Sequence, residues 1–131
     1  MEFVRCPTGA SEGSVADIER VYGVNLPPDL RAFWLDSDGP ILWFGFKELQ
    51  FFRVSEVLQD IYSVRKHMAG ALPLCMDGNG NICLARFIEG RVCGYYVTEA
   101  GVLEWETAAL ISEDFVGFIN DGQSSERRLD A

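Results

Sequence analysis

The sequence predicts an α+β fold in which an antiparallel sheet of about four to six strands packs against N-terminal and C-terminal helices. Three observations carry that expectation. Between Leu72 and Trp105 short apolar runs alternate with Gly- and Asn-rich reversals. Apolar residues at helical spacing fall only in the segments before Lys66 and after Ser112. The chain has 131 residues, 48% of them hydrophobic, so one domain around one core is expected. The longest apolar run, Ile41-Leu42-Trp43-Phe44 with Phe46 beyond Gly45, is far too short to span a membrane, and residues 1–7 lack a signal-peptide core. A cytoplasmic location follows as an expectation.

Taken in order, residues 1–13, with Thr8, Gly9, Ser11 and Gly13, read as a loose arm ahead of a single domain at 14–122. Ser14-Val15-Ala16-Asp17 fits a capping box: Ser14 accepts a backbone N–H, and the acid suits the positive end of the helix. Ile18, Val21 and Tyr22 share one face of that helix, and Gly23 is placed to end it. Pro27 and Pro28 suit a second helix start, Asp29 complements its dipole, and Leu30, Phe33 and Trp34 form a buried stripe before Gly39-Pro40. This predicts a helix over 28–36. Ile41 to Phe46 and Leu49 to Arg53 read as strands bent at Lys47-Glu48. Ser55 then caps a third helix to Lys66, carrying Val57, Leu58, Ile61 and Tyr62, with Arg65, Lys66 and His67 at its negative end. Ser112-Glu113-Asp114 opens a last helix with Phe115, Phe118 and Ile119 inward, Asn120-Asp121-Gly122 closes it, and residues 123–131 are polar enough for a disordered tail.

Turn chemistry sets a register for the central sheet. A reversal centred on Asn79 puts Cys75 opposite Cys83, Met76 opposite Ile82 and Leu74 opposite Leu84. A two-residue turn at Glu89-Gly90 then sets Leu84 against Tyr95 and Ile82 against Val97. A three-residue loop at Glu99-Ala100-Gly101 sets Val97 against Leu103 and Tyr95 against Trp105. All three turns place Leu74, Met76, Ile82, Leu84, Tyr95, Val97, Leu103 and Trp105 on one apolar face, with Glu104 and Glu106 on the other.

The candidate chemistry is sparse. Asp77, Asn79 and Asn81 have the odd-position spacing of a calcium loop, but the sixth position is Ile82 rather than Gly and the twelfth is Ile88 rather than Glu, so a hairpin turn is the better reading. Cys6, Cys75, Cys83 and Cys93 form no C-x-x-C pair, and in the predicted register Cys93 points away from Cys75 and Cys83. Free thiols, no metal and no cofactor are expected. His67 is the one histidine, at the end of a basic helix, where a helix cap or a solvated side chain is the simpler role than a catalytic base. Glu104 and Glu106, two apart on a strand, would sit about 6.5 to 7 Å apart, within the carboxylate spacing of glycoside hydrolysis. Any half-solvated strand shows the same alternation, so a small hydrolase using that pair is only a minor alternative.

Charge is more informative. Acidic residues outnumber basic ones by 20 to 11, a net charge of −9, which disfavours nucleic acid and anionic membranes and favours a basic partner. From Val92 to Glu126 there is no Lys, Arg or His, while Glu99, Glu104, Glu106, Glu113, Asp114, Asp121 and Glu126 are acidic. Asp36, Asp38 and Asp77 would extend that surface if their loops lie nearby. The expected state is a monomer or weak dimer whose acidic surface docks a protein.

Tyr22-Gly23-Val24-Asn25-Leu26-Pro27-Pro28-Asp29-Leu30-Arg31-Ala32-Phe33-Trp34, then Asp38-Gly39, then Leu74-Cys75-Met76-Asp77-Gly78-Asn79-Gly80-Asn81-Ile82-Cys83-Leu84, and finally Asp114-Phe115-Val116-Gly117-Phe118-Ile119, resembles the SUKH superfamily. That group holds the fungal Smi/Knr cell-wall regulators and many bacterial immunity proteins. The resemblance implies an antiparallel sheet packed on helices, no enzymatic activity, and binding to a partner: for bacterial members, a toxin, often a nuclease, encoded beside them. A regulatory scaffold for an endogenous protein is the alternative it implies. Where the superfamily often has Asn before Gly after the second helix, this chain has Asp38-Gly39.

Overall fold

The computed structural model describes residues 2–45 and 47–121. Seven strands, β1 (Glu2–Arg5), β2 (Ile41–Trp43), β3 (Glu48–Phe51), β4 (Ala71–Met76), β5 (Asn81–Ile88), β6 (Arg91–Glu99) and β7 (Ala109–Ser112), form one antiparallel sheet in sequence order. Helices α1 (Glu12–Tyr22), α2 (Pro28–Asp36), α3 (Val54–Leu58), α4 (Val64–His67) and α5 (Phe115–Asp121) complete the α+β fold. The sheet has one strand more than the expected range allows. The extra strand is β1, which comes from residues expected in a loose arm and pairs with β2. Behind it, Asp38 donates its N–H to Thr8 and Ala10 donates to Trp34, so residues 8–10 are held against the end of α2. The expected tail at 123–131 lies outside the described residues.

Each helix starts for a legible reason, though not always at the expected residue. Ser11, not Ser14, caps α1: its Oγ accepts the Ser14 N–H at 3.1 Å. Gly23 ends α1 in the left-handed conformation with φ of 66°, which glycine adopts without a Cβ penalty. Helix α2 spans the predicted 28–36 and buries Leu30 and Trp34. The third predicted helix breaks in two. Asp60, Tyr62 and Ser63 all take positive φ, so α3 stops at Leu58, a 3-10 turn spans Ile61–Ser63, and α4 restarts at Val64. Ser55 is not its cap. Asp38, distant in sequence, accepts the Val54 N–H at 2.8 Å, and Glu56 accepts that of Arg53 at 2.9 Å. Helix α5 begins at Phe115, with Asp114 Oδ1 accepting the Gly117 N–H at 2.7 Å.

The sheet keeps the first two predicted turns, with a bulge beyond each, and departs from the third. Cys75 pairs with Cys83 and Met76 with Ile82, but a bulge at Leu74 sets Pro73, not Leu74, opposite Leu84. The Glu89-Gly90 turn has positive φ at both residues and pairs Ile88 with Arg91 and Phe87 with Val92, as expected. Cys93 is then an extra residue, so Leu84 faces Tyr96 and Cys83 faces Val97. One extra residue moves Tyr95 and Val97 to the opposite face from that predicted. Residues 102–106 form no strand. Thr98 Oγ1 donates to the Val102 carbonyl and Val102 N–H donates to Glu99, which turns the chain away before Ala109 pairs with Val97.

With β4 and β5 buried on both faces, Leu72 to Cys75 and Ile82 to Ala85 are all core. On the Phe51, Cys75, Cys83 and Val97 side, Phe33 of α2 and Phe115 and Phe118 of α5 pack with Phe51 and Tyr95. The opposite side carries Met76, Ile82, Leu84, Arg86 and Tyr96. There Tyr62 approaches the Met76 sulfur and Trp105 packs on Tyr96.

Candidate functional site

The eight acidic residues expected to form a docking surface divide into two groups. Asp77 and Asp38 are internal. The Asp77 side chain is fully buried, pairs with Lys47 Nζ at 3.3 Å, and accepts the N–H groups of Asn79 and Asn81 and the Asn81 amide. Burial pushes its carboxyl up, but those hydrogen bonds and Lys47 outweigh burial and hold it below the usual carboxylate range. Asp77 is therefore the clamp of its hairpin rather than part of a surface. Asp38 caps α3 and is half-buried. The remaining six, Asp36, Glu99, Glu104, Glu106, Glu113 and Asp114, are exposed.

Those six do not share one strand face. Glu99 ends β6 beside Asn81, whereas Glu113 and Asp114 follow β7 past Tyr95, at the other end of the same edge. Glu104 and Glu106 lie on the connection from β6 to β7, either side of Trp105, and Glu106 is inside a 3-10 turn. The strand geometry on which a hydrolytic carboxylate pair depended is absent at these two residues. The cleft beside α3, about 270 Å³, is lined by Glu56, Gln59, Asp60, Ile61, Tyr62 and Ser63. Neither Glu104 nor Glu106 reaches it.

Trp105 is the anchor of that connection. Its indole N–H donates to the Ala69 carbonyl at 2.8 Å, and its ring lies 5.3 Å from Tyr96. The Arg86 guanidinium sits 4.4 Å from the centre of Trp105 and 5.9 Å from that of Tyr96. Arg86, Tyr96 and the exposed Leu110 and Ile88 were not expected at a site, because the predicted register sent Tyr95 rather than Tyr96 to this face. The signal that finds them is the exposed apolar alternation of β7, Leu110 out and Ile111 in.

The cysteines do not converge. Cys75 and Cys83 are buried side by side, while Cys6, just after β1, and Cys93, in β6, are exposed. Burial pushes the Cys75 thiol well up, and Cys83 beside it adds to the shift, so it is a poor nucleophile. His67 is exposed, with Nδ1 2.9 Å from the Ser63 carbonyl. Among the described residues no three His, Cys, Asp or Glu side chains gather as a metal site requires, and no helix is long and apolar enough to cross a membrane.

A family model, that of the SMI1/KNR4 family (SUKH-1), matches residues 9–121. The chain belongs to that family. The match runs from just before α1 to the end of α5, and so takes in every element except β1. No curated protein matches the chain. Membership in SUKH is consistent with a protein-binding role of the immunity or regulatory kind.

Proposed function

We propose that this SUKH protein is a non-catalytic immunity protein that neutralises a toxin domain by covering a basic surface with its own acidic one. The observation that carries the reading is the run from Val92 to Glu126, which has seven acids and no base, and whose described acids Glu99, Glu104, Glu106, Glu113 and Asp114 are exposed. Family membership supports the choice of a protein partner, and the charge supports a basic one. A nuclease domain, whose substrate groove is cationic, fits that description.

The reading is tested with the C-terminal domain of the toxin encoded beside this gene. The two proteins should form a complex, co-expression should protect cells, and Glu104→Lys with Glu106→Lys should slow association about tenfold at low ionic strength. A wild-type chain that neither binds nor protects sinks the immunity role. In that outcome the regulatory alternative, a scaffold for an endogenous protein, is the reading that family membership supports.

A further inference from the structure

We infer that the centre of the partner-binding surface is the patch formed by Arg86, Tyr96, Trp105, Leu110 and Ile88, with Glu104 and Glu106 as its acidic rim. This rests on the immunity reading and gives it a location. The patch is contiguous. Leu110 pairs with Tyr96 across β6 and β7, Arg86 pairs with Gly94 across β5 and β6, the Arg86 guanidinium lies over the Trp105 ring, and Tyr96 meets that ring edge-on. Ile88 follows Arg86 on the same side of β5.

Its composition is that of a binding hot spot. Trp, Tyr and Arg carry most interface energy, and a working site surrounds such anchors with a polar rim. Leu110 and Ile88 are 43% and 56% exposed, apolar surface that the described residues leave uncovered. A Cβ at Gly94 would stand 2.9 Å from Leu110 Cδ1 and 3.1 Å from Tyr96 Cε1, so glycine lets these two side chains close over the strand as one continuous surface. Among the described residues the Arg86 guanidinium makes no hydrogen bond or ion pair, and its donors remain for a carbonyl of the partner. Glu104 and Glu106, exposed either side of Trp105, select a partner with an apolar or aromatic side chain set inside a ring of lysines and arginines.

Binding kinetics against the adjacent toxin domain separate centre from rim. Leu110→Gln with Ile88→Thr, both at exposed positions, should leave the thermal melt unchanged and raise the dissociation rate at least about tenfold, with association and its salt dependence kept. Arg86→Lys, which keeps the charge and loses the planar stack, should also speed dissociation. Glu104→Lys with Glu106→Lys should instead slow association and flatten its salt dependence. If the Leu110 and Ile88 substitutions leave dissociation within twofold of wild type while the glutamate reversals weaken binding, the patch is not the centre and the immunity reading stands. If wild type does not bind the toxin domain, both are overturned.

Discussion

Tyr22 and Tyr95 are both phenols packed into the fold, yet they predict opposite responses to the same substitution. Tyr22 donates its hydroxyl to the Val57 carbonyl at 2.7 Å and so ties α1 to α3; burial, with Asp60 adding to it, pushes the phenol up to about 12. Tyr95 is 1% exposed, and its hydroxyl makes no hydrogen bond among the described residues; burial, then Asp29 and Asp114, push its phenol well up. A buried polar group without a partner costs free energy, whereas a typical made bond is worth about 1 kcal/mol. Tyr22→Phe should therefore lose about 1 kcal/mol in urea unfolding, and Tyr95→Phe should be neutral or gain up to about 1 kcal/mol, because its ring contacts with Phe115 and Phe118 are kept. A loss for Tyr95→Phe as large as that for Tyr22→Phe would mean that the Tyr95 hydroxyl does have a partner. The thiols divide in the same way. A thiol-reactive chromogen should label Cys6 and Cys93 in the native protein and reach Cys75 and Cys83 only after denaturant is added.

At the scale of elements, what was legible in the sequence was turn chemistry, and what was not was the extra residue after a turn. Asp77-Gly78-Asn79-Gly80-Asn81 and Glu89-Gly90 state their conformations through residues that accept positive φ, whereas nothing marks Leu74 or Cys93 as bulges. The unbroken apolar runs of β4 and β5 do signal burial on both faces, the pattern of strands covered on each side. The α3 cap was hidden for another reason: Asp38 reaches Val54 across the fold, and no local pattern encodes that. The hairpin carrying Asp77 yields a sharp prediction. A carboxylate whose folded pKa lies below its unfolded value of about 3.9 stabilises the fold above that value and loses the contribution as the pH falls toward the folded one. Asp77→Asn should cost about 3 kcal/mol at pH 7, since it removes the carboxylate that pairs with the buried Lys47, and the gap to wild type should shrink as the pH falls below the unfolded value. Urea titrations at a series of pH values measure it. A gap that stayed constant across that range would rule out Asp77 as the titrating group.

For the molecule as a whole, net charge was legible and its distribution was not, because the positions of Glu99, Glu104 and Glu113 depend on where β7 pairs. A net charge of −9 on one small domain is a self-repulsion that opposes the compact state. Among the described residues, salt acts on it against two exposed or half-exposed attractions, Arg20 with Asp17 and Arg31 with Glu19. Exposed pairs of that kind are worth about 0 to 1 kcal/mol each, and screening removes only part of that. The buried pair of Lys47 and Asp77 is shielded from salt, so it does not change the sign. Repulsion summed over the exposed acids Glu99, Glu104, Glu106, Glu113 and Asp114 is expected to outweigh what the two surface pairs lose. Raising sodium chloride from about 10 to about 100 mM shortens the screening length from about 30 to about 10 Å, which removes repulsion along that edge first. The thermal midpoint should then rise by roughly 3 to 5 °C, equivalent to about 1 kcal/mol for a domain of this size. The Glu104→Lys, Glu106→Lys protein, with four fewer net negative charges, should show a smaller rise from a higher starting midpoint. A wild-type midpoint that falls as salt is added would mean that attraction, not repulsion, dominates this surface.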